Sequence, residues 1–136
     1  MLLTTFLPPG SDRPRAGEIR DDVVISFSTE GETVLDRLRT GDVEPATGDR
    51  YPLADVTLLA PVPRPRAIFG IGLNYAVHAR ETGQELPEFP IVFMKLPSSS
   101  APPNGPVTCP PVVKRLDYEG ELAVVIGAGG YFTRTV

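Results

Sequence analysis

The chain has one cysteine, Cys109, and one histidine, His78, among 136 residues. A lone thiol can close no internal disulfide and build no thiolate zinc site, so a cystine-stapled scaffold is excluded and the reducing cytoplasm is the expected compartment. Cys109 is read as a packing residue. Basic runs are also missing. With 13 Lys and Arg against 17 Asp and Glu, and a formal net charge of −4, the chain offers no footprint for nucleic acid or anionic membrane. No apolar stretch is long enough to cross a bilayer. The opening Met1-Leu2-Leu3-Thr4-Thr5-Phe6-Leu7 is too short for a signal peptide and lacks its basic start. A soluble protein is expected, with no nucleic-acid or membrane partner.

Proline and glycine, at 16 and 13 residues, are plentiful and punctuate the chain without forming low-complexity tracts. Short strand-like pieces at 2–6, 16–20 and 23–27, with an Asp21-Asp22 turn, suggest a small sheet with a hairpin. Thr29 is placed to cap a helix with Val34, Leu35 and Leu38 on one face and Gly41 at its end. Val56 to Leu59 is another strand candidate. Pro61-Val62-Pro63-Arg64-Pro65 then forbids helix and disfavours a central strand, which sets a boundary near residue 63. Beyond it, 66–71 reads as strand, Asn74 as the cap of a helix over 75–82 that stops at Gly83, 91–94 as strand, and 97–111 as irregular. The expected class is α+β and β-rich, with a small domain at 1–63 and a second at 64–136.

The densest chemical signal is Tyr118-Glu119-Gly120-Glu121-Leu122-Ala123-Val124-Val125-Ile126, two carboxylates at the head of an apolar run that reads as a buried strand. Strand side chains alternate faces, so Glu119 and Glu121 share one, with Cα atoms roughly 6.5 Å apart. Asp117 extends the row. Like charges so placed repel unless a cation lies between them, and oxygen donors favour Mg²⁺, Mn²⁺ or Ca²⁺. A solvated acidic face remains the other reading. Glu81 follows His78 at the i+3 position, where a carboxylate can orient the imidazole as a general base. An exposed helical ion pair is the plainer alternative. Gly70-Ile71-Gly72 invites a dinucleotide reading, but Tyr75 stands where the third glycine is needed.

Taken in order, Ile71-Gly72-Leu73-Asn74-Tyr75, His78, Glu81, Phe93-Met94-Lys95 and Asp117-Tyr118-Glu119-Gly120-Glu121-Leu122 resemble the fumarylacetoacetate hydrolase family. The resemblance spans about residues 66 to 127. It implies a metal-dependent enzyme that hydrolyses, hydrates, isomerises or decarboxylates small 2-oxo or 2,4-dioxo acids, often in aromatic catabolism. It assigns the divalent ion, Mg²⁺ or Mn²⁺ with Ca²⁺ as an alternative, to Glu119 and Glu121, and water activation to His78 and Glu81. A mixed β-sandwich or roll, assembled as a homodimer, is the fold implied for the second domain. The family pattern continues with a third metal carboxylate and a later lysine that have no counterpart here. The chain is therefore expected to cover roughly the amino-terminal half of a family member and, by itself, to turn over little or nothing. A non-catalytic module with at most weak metal affinity is the alternative.

Overall fold

A computed structural model describes residues 1–27 and 31–126. They divide into two compact units, one built on Met1–Val62 and grouped with the residues from Pro102 on, the other Pro63–Ala101.

The first unit is an antiparallel sheet of β1 (Leu2–Leu7), β2 (Arg15–Arg20), β3 (Val23–Ser26), β4 (Arg50–Pro52) and β5 (Thr57–Leu59), in the order β4-β3-β2-β1-β5. Asp21 takes the left-handed φ of 53° that a two-residue hairpin demands between β2 and β3. Period-2 alternation then sorts the side chains. Ala16, Ile25 and Phe27 fall on one face and form a core cluster with Val34 and Ala46. Phe6 and Val24 are fully buried on the other, around the bare backbone of Gly17. β4 was not expected from Arg50-Tyr51-Pro52, a short polar piece that joins the sheet by pairing Tyr51 with Val24.

Among the described residues one α-helix, α1 (Val34–Thr40), packs in this unit. Its cap is Thr33, in a capping box with Asp36, and not Thr29, which lies outside the described residues. Gly41 ends it at φ 69°, as its position requires. The buried face differs from the expected one: Val34 and Arg37 are buried, whereas Leu38 is 39% exposed. The cause is the Arg37 guanidinium, 3.5 Å above the Phe27 ring and ion-paired to Asp42 at 3.1 Å, which takes the place a leucine would hold.

The second unit holds β6 (Ile68–Gly72), α2 (Ala76–Glu81) and β7 (Ile91–Lys95), with β6 and β7 antiparallel and Gly70 opposite Phe93. The strand expected over Tyr118 to Ile126 is not formed. Those residues carry no regular structure, and Tyr118 is 91% and Leu122 84% exposed. An apolar β-branched run becomes a strand when neighbouring strands take up its N–H and C=O groups, and no described strand pairs with this one.

Candidate functional site

The chain leaves β6 through Gly70, which has no room for a side chain because the Phe93 ring lies across it. At Gly72 an added Cβ would meet Ile91 Cγ2 at 3.3 Å. Leu73 follows in the left-handed region, φ 52°, a conformation uncommon for a branched apolar residue and costing about 1 kcal/mol or more. This turn delivers the chain into α2. Tyr75, and not Asn74, occupies the cap position, and no side chain caps the helix.

α2 has one buried residue, Ala79. His78 and Glu81 are exposed and lie one helical turn apart on the same side. Among the described residues no hydrogen bond or ion pair joins the two side chains, so Glu81 does not hold the imidazole in this arrangement. The helix ends when Thr82 Oγ1 donates to His78 O at 2.9 Å and Gly83 turns away at φ 68°. Sequence reasoning places a loop between Pro87 and Pro90 but missed the pocket that it lines. Leu86, Pro87, Glu88, Phe89 and Pro90 face Ile71 to Asn74 across an open pocket of about 310 Å³. Its available signal was a leucine and a phenylalanine set among prolines, too rigid to fold away.

Glu119 and Glu121 lie on the exposed, irregular segment that begins with Asp117, whose Oδ1 accepts the Tyr118 N–H at 2.8 Å. Among the described residues no three His, Cys, Asp or Glu side chains gather where they could hold a metal ion. The donor chemistry of the two glutamates suits a hard divalent cation, but they present only part of a coordination shell. No helix of the described residues is long and apolar enough to cross a membrane.

The family profile for the fumarylacetoacetate (FAA) hydrolase C-terminal domain matches residues 67–133, a stretch that includes His78, Glu81, Glu119 and Glu121. The oxaloacetate tautomerase Fahd2a, mitochondrial, of Rattus norvegicus is 40% identical over 107 residues, covering 79% of this chain and 34% of its own. A Burkholderia cenocepacia protein named as a hydrolase is 39% identical over 138 residues, covering 94% of this chain and 47% of its own. In structure, the chain is similar to an HpcE protein of Mycobacterium smegmatis, with TM-score 0.54, 25% identity, and coverage of 81% of this chain and 41% of that one. The chain thus spans between about a third and a half of the length of these relatives. Profile, relatives and fold agree that the chain belongs to the fumarylacetoacetate hydrolase family.

Proposed function

We propose that this chain carries the water-activating half of a metal-dependent site for small 2-oxo or 2,4-dioxo acids, acting by hydrolysis, hydration or isomerisation. One observation carries the reading: an exposed imidazole and carboxylate, His78 and Glu81, stand one turn apart on a short helix directly after Gly72-Leu73-Asn74-Tyr75, inside the family-matched stretch. The tautomerases among the relatives support it, since oxaloacetate is itself a 2-oxo acid. Neutral His78 takes a proton from water, or from the carbon beside the keto group, and Glu81 swings to orient the ring and steady its positive charge. General-base assistance of this kind adds about 10² to 10⁴ in rate. A six-residue surface helix with one buried side chain is cheap to displace, so α2 can adjust when substrate arrives.

Members of the family are generally metal-dependent. Glu119 and Glu121 would hold the ion here, Mg²⁺ or Mn²⁺ with Ca²⁺ as the alternative. When bound, it supplies Lewis-acid stabilisation of charge building on the keto oxygen, worth several kcal/mol. The reading also includes the division into domains at 1–63 and 64–136, a sandwich or roll begun by the second of them, a homodimer, a role in aromatic catabolism and a cytoplasmic setting that a single cysteine suits.

A second reading, a non-catalytic module, is favoured by the exposure of the segment carrying Glu119 and Glu121. The deciding assay measures pyruvate release from acylpyruvates, and enol-to-keto conversion of oxaloacetate, with Mg²⁺ or Mn²⁺. It compares the chain with a chimaera extended by the second half of a full-length relative. Turnover in the chimaera that His78→Gln removes supports the enzyme reading, with little turnover expected from the chain alone. A chimaera whose rate ignores His78→Gln rejects the assigned base.

A further inference from the structure

The pocket between Ile71–Asn74 and Leu86–Pro90 has a chemistry that the family resemblance does not supply. Its volume of about 310 Å³ is at the small end of ligand sites, and about twice that of a cavity known to admit benzene. Its walls are mostly apolar. Asn74 is the one neutral hydrogen-bonding side chain on them, Glu88 the one charged group, and no cation lines the pocket. Leu86 and Phe89 stand 60% and 73% exposed on its rim, on a loop stiffened by Pro87 and Pro90. Apolar groups held out in water gain when a ligand covers them, and a rigid loop loses little entropy in doing so.

We propose that this pocket receives the apolar end of the substrate, a short alkyl chain or single ring, and that Glu88 disfavours substrates whose far end is a second carboxylate. The inference rests on the 2-oxo acid reading and deepens it. It sets this chain apart from a preference for oxaloacetate, the acid in the names of several relatives, because the far end of oxaloacetate is anionic. Leu86, Phe89 and Glu88 are then specificity residues and His78 is left untouched by their exchange.

Isotope-labelled full chain, with Mg²⁺ in the buffer, is titrated with 2-oxobutanoate, 2-oxohexanoate and 2-oxoglutarate, and separately with 1-hexanol, while amide shifts of 71–74 and 86–90 are followed by NMR. Full burial of a methylene is worth about fourfold in affinity, so two methylenes in an open groove should tighten 2-oxohexanoate about fivefold over 2-oxobutanoate. Phe89→Ser, an exchange at an exposed position that leaves the fold intact, should erase that increment. Glu88→Gln should narrow the gap between 2-oxohexanoate and 2-oxoglutarate. Equal affinity along the alkyl series, or tighter binding of 2-oxoglutarate in the wild type, overturns the proposal. Shifts with 1-hexanol that Phe89→Ser abolishes, but none with any 2-oxo acid, reject the 2-oxo acid reading and keep the apolar pocket. Silence of these amides toward 1-hexanol and 2-oxohexanoate alike overturns the pocket itself.

Discussion

The ring of Phe6 lies across the backbone of Gly17, so that a Cβ placed on Gly17 would stand 2.8 Å from Phe6 Cε1 and 2.9 Å from Val24 Cγ1. Both neighbours are fully buried and have nowhere to retreat. Gly17→Ala should therefore destabilise the first unit by about 2 kcal/mol through overpacking, despite alanine's better strand entropy. A urea midpoint equal to wild type would show that the curl of β1 over β2 can relax.

Glu18 accepts from Arg20 Nη2 at 2.6 Å and from the Ala46 amide at 3.0 Å. These bonds, the Arg20 one first, hold its carboxyl well below the usual carboxylate range, at about 2. A depressed folded-state value means stability is present above the ordinary pKa of 4.5 and is lost as the pH falls from there toward 2. Wild type should lose thermal stability over that window more steeply than Glu18→Gln, measured by circular dichroism melts at fixed ionic strength. Parallel profiles would remove Glu18 as the cause.

Arg37 is tied to Asp42, to Glu32 at 3.7 Å and to the Glu44 carbonyl at 2.9 Å, besides lying over Phe27. Arg37→Ala leaves acidic groups without their cation and a hole beside the ring, and should cost about 3 kcal/mol. Lysine keeps the charge but loses the flat stacking and the fork of donors, so Arg37→Lys should recover less than half of the loss in chemical denaturation. Full recovery would assign the effect to charge alone.

Calorimetric titration with Mn²⁺ should find weak binding to the wild type and none to the Glu119→Gln, Glu121→Gln double variant. Two carboxylates leave most of an octahedral shell to water. Equal heats from the two proteins would move the ion elsewhere.

Leu73 offers a sharper probe of the turn into α2. Leu73→Gly removes the left-handed penalty, and Leu73→Val raises it by placing a β-branch at φ 52°. Hydrogen exchange at the Ala79 amide, which donates to Tyr75 O at 3.1 Å, should speed up several-fold in the valine variant relative to the glycine one. The reverse order would free α2 from dependence on this turn.

Much of the sheet could be read from the chain because its strands announce themselves locally. β1 and β3 are short runs rich in apolar and β-branched residues, β2 and β3 flank the Asp21-Asp22 turn, and Gly41 and Gly83 end their helices by the handedness only glycine adopts freely. What failed to show locally depends on partners. Arg50-Tyr51-Pro52 is a strand because Val24 lies opposite, and Arg37 is a core residue because Phe27 offers a ring face. Tyr118 to Ile126 has the local marks of a strand, but no described strand pairs with it. His78 and Glu81 were legible as a pair on one helical side, whereas the pocket was not, since it joins Leu73 to Phe89 across a stretch with no periodic signal.

The strand order has a consequence for how the protein is made. β1 is synthesised well before its outer neighbour, β5, with Phe6 opposite Leu58. The hairpin with β2 closes at once. The other edge must wait for a loop of about fifty residues to be synthesised and closed, a slow, entropy-limited step. During that interval the N–H and C=O groups along one side of Leu2–Leu7 are open to any passing chain. The buried Thr5 hydroxyl, which donates to Pro61 O at 2.9 Å, latches that edge once β5 has arrived. Slowing translation between residues 20 and 60 should therefore lower the soluble yield of this protein more than an equal delay placed after Val62.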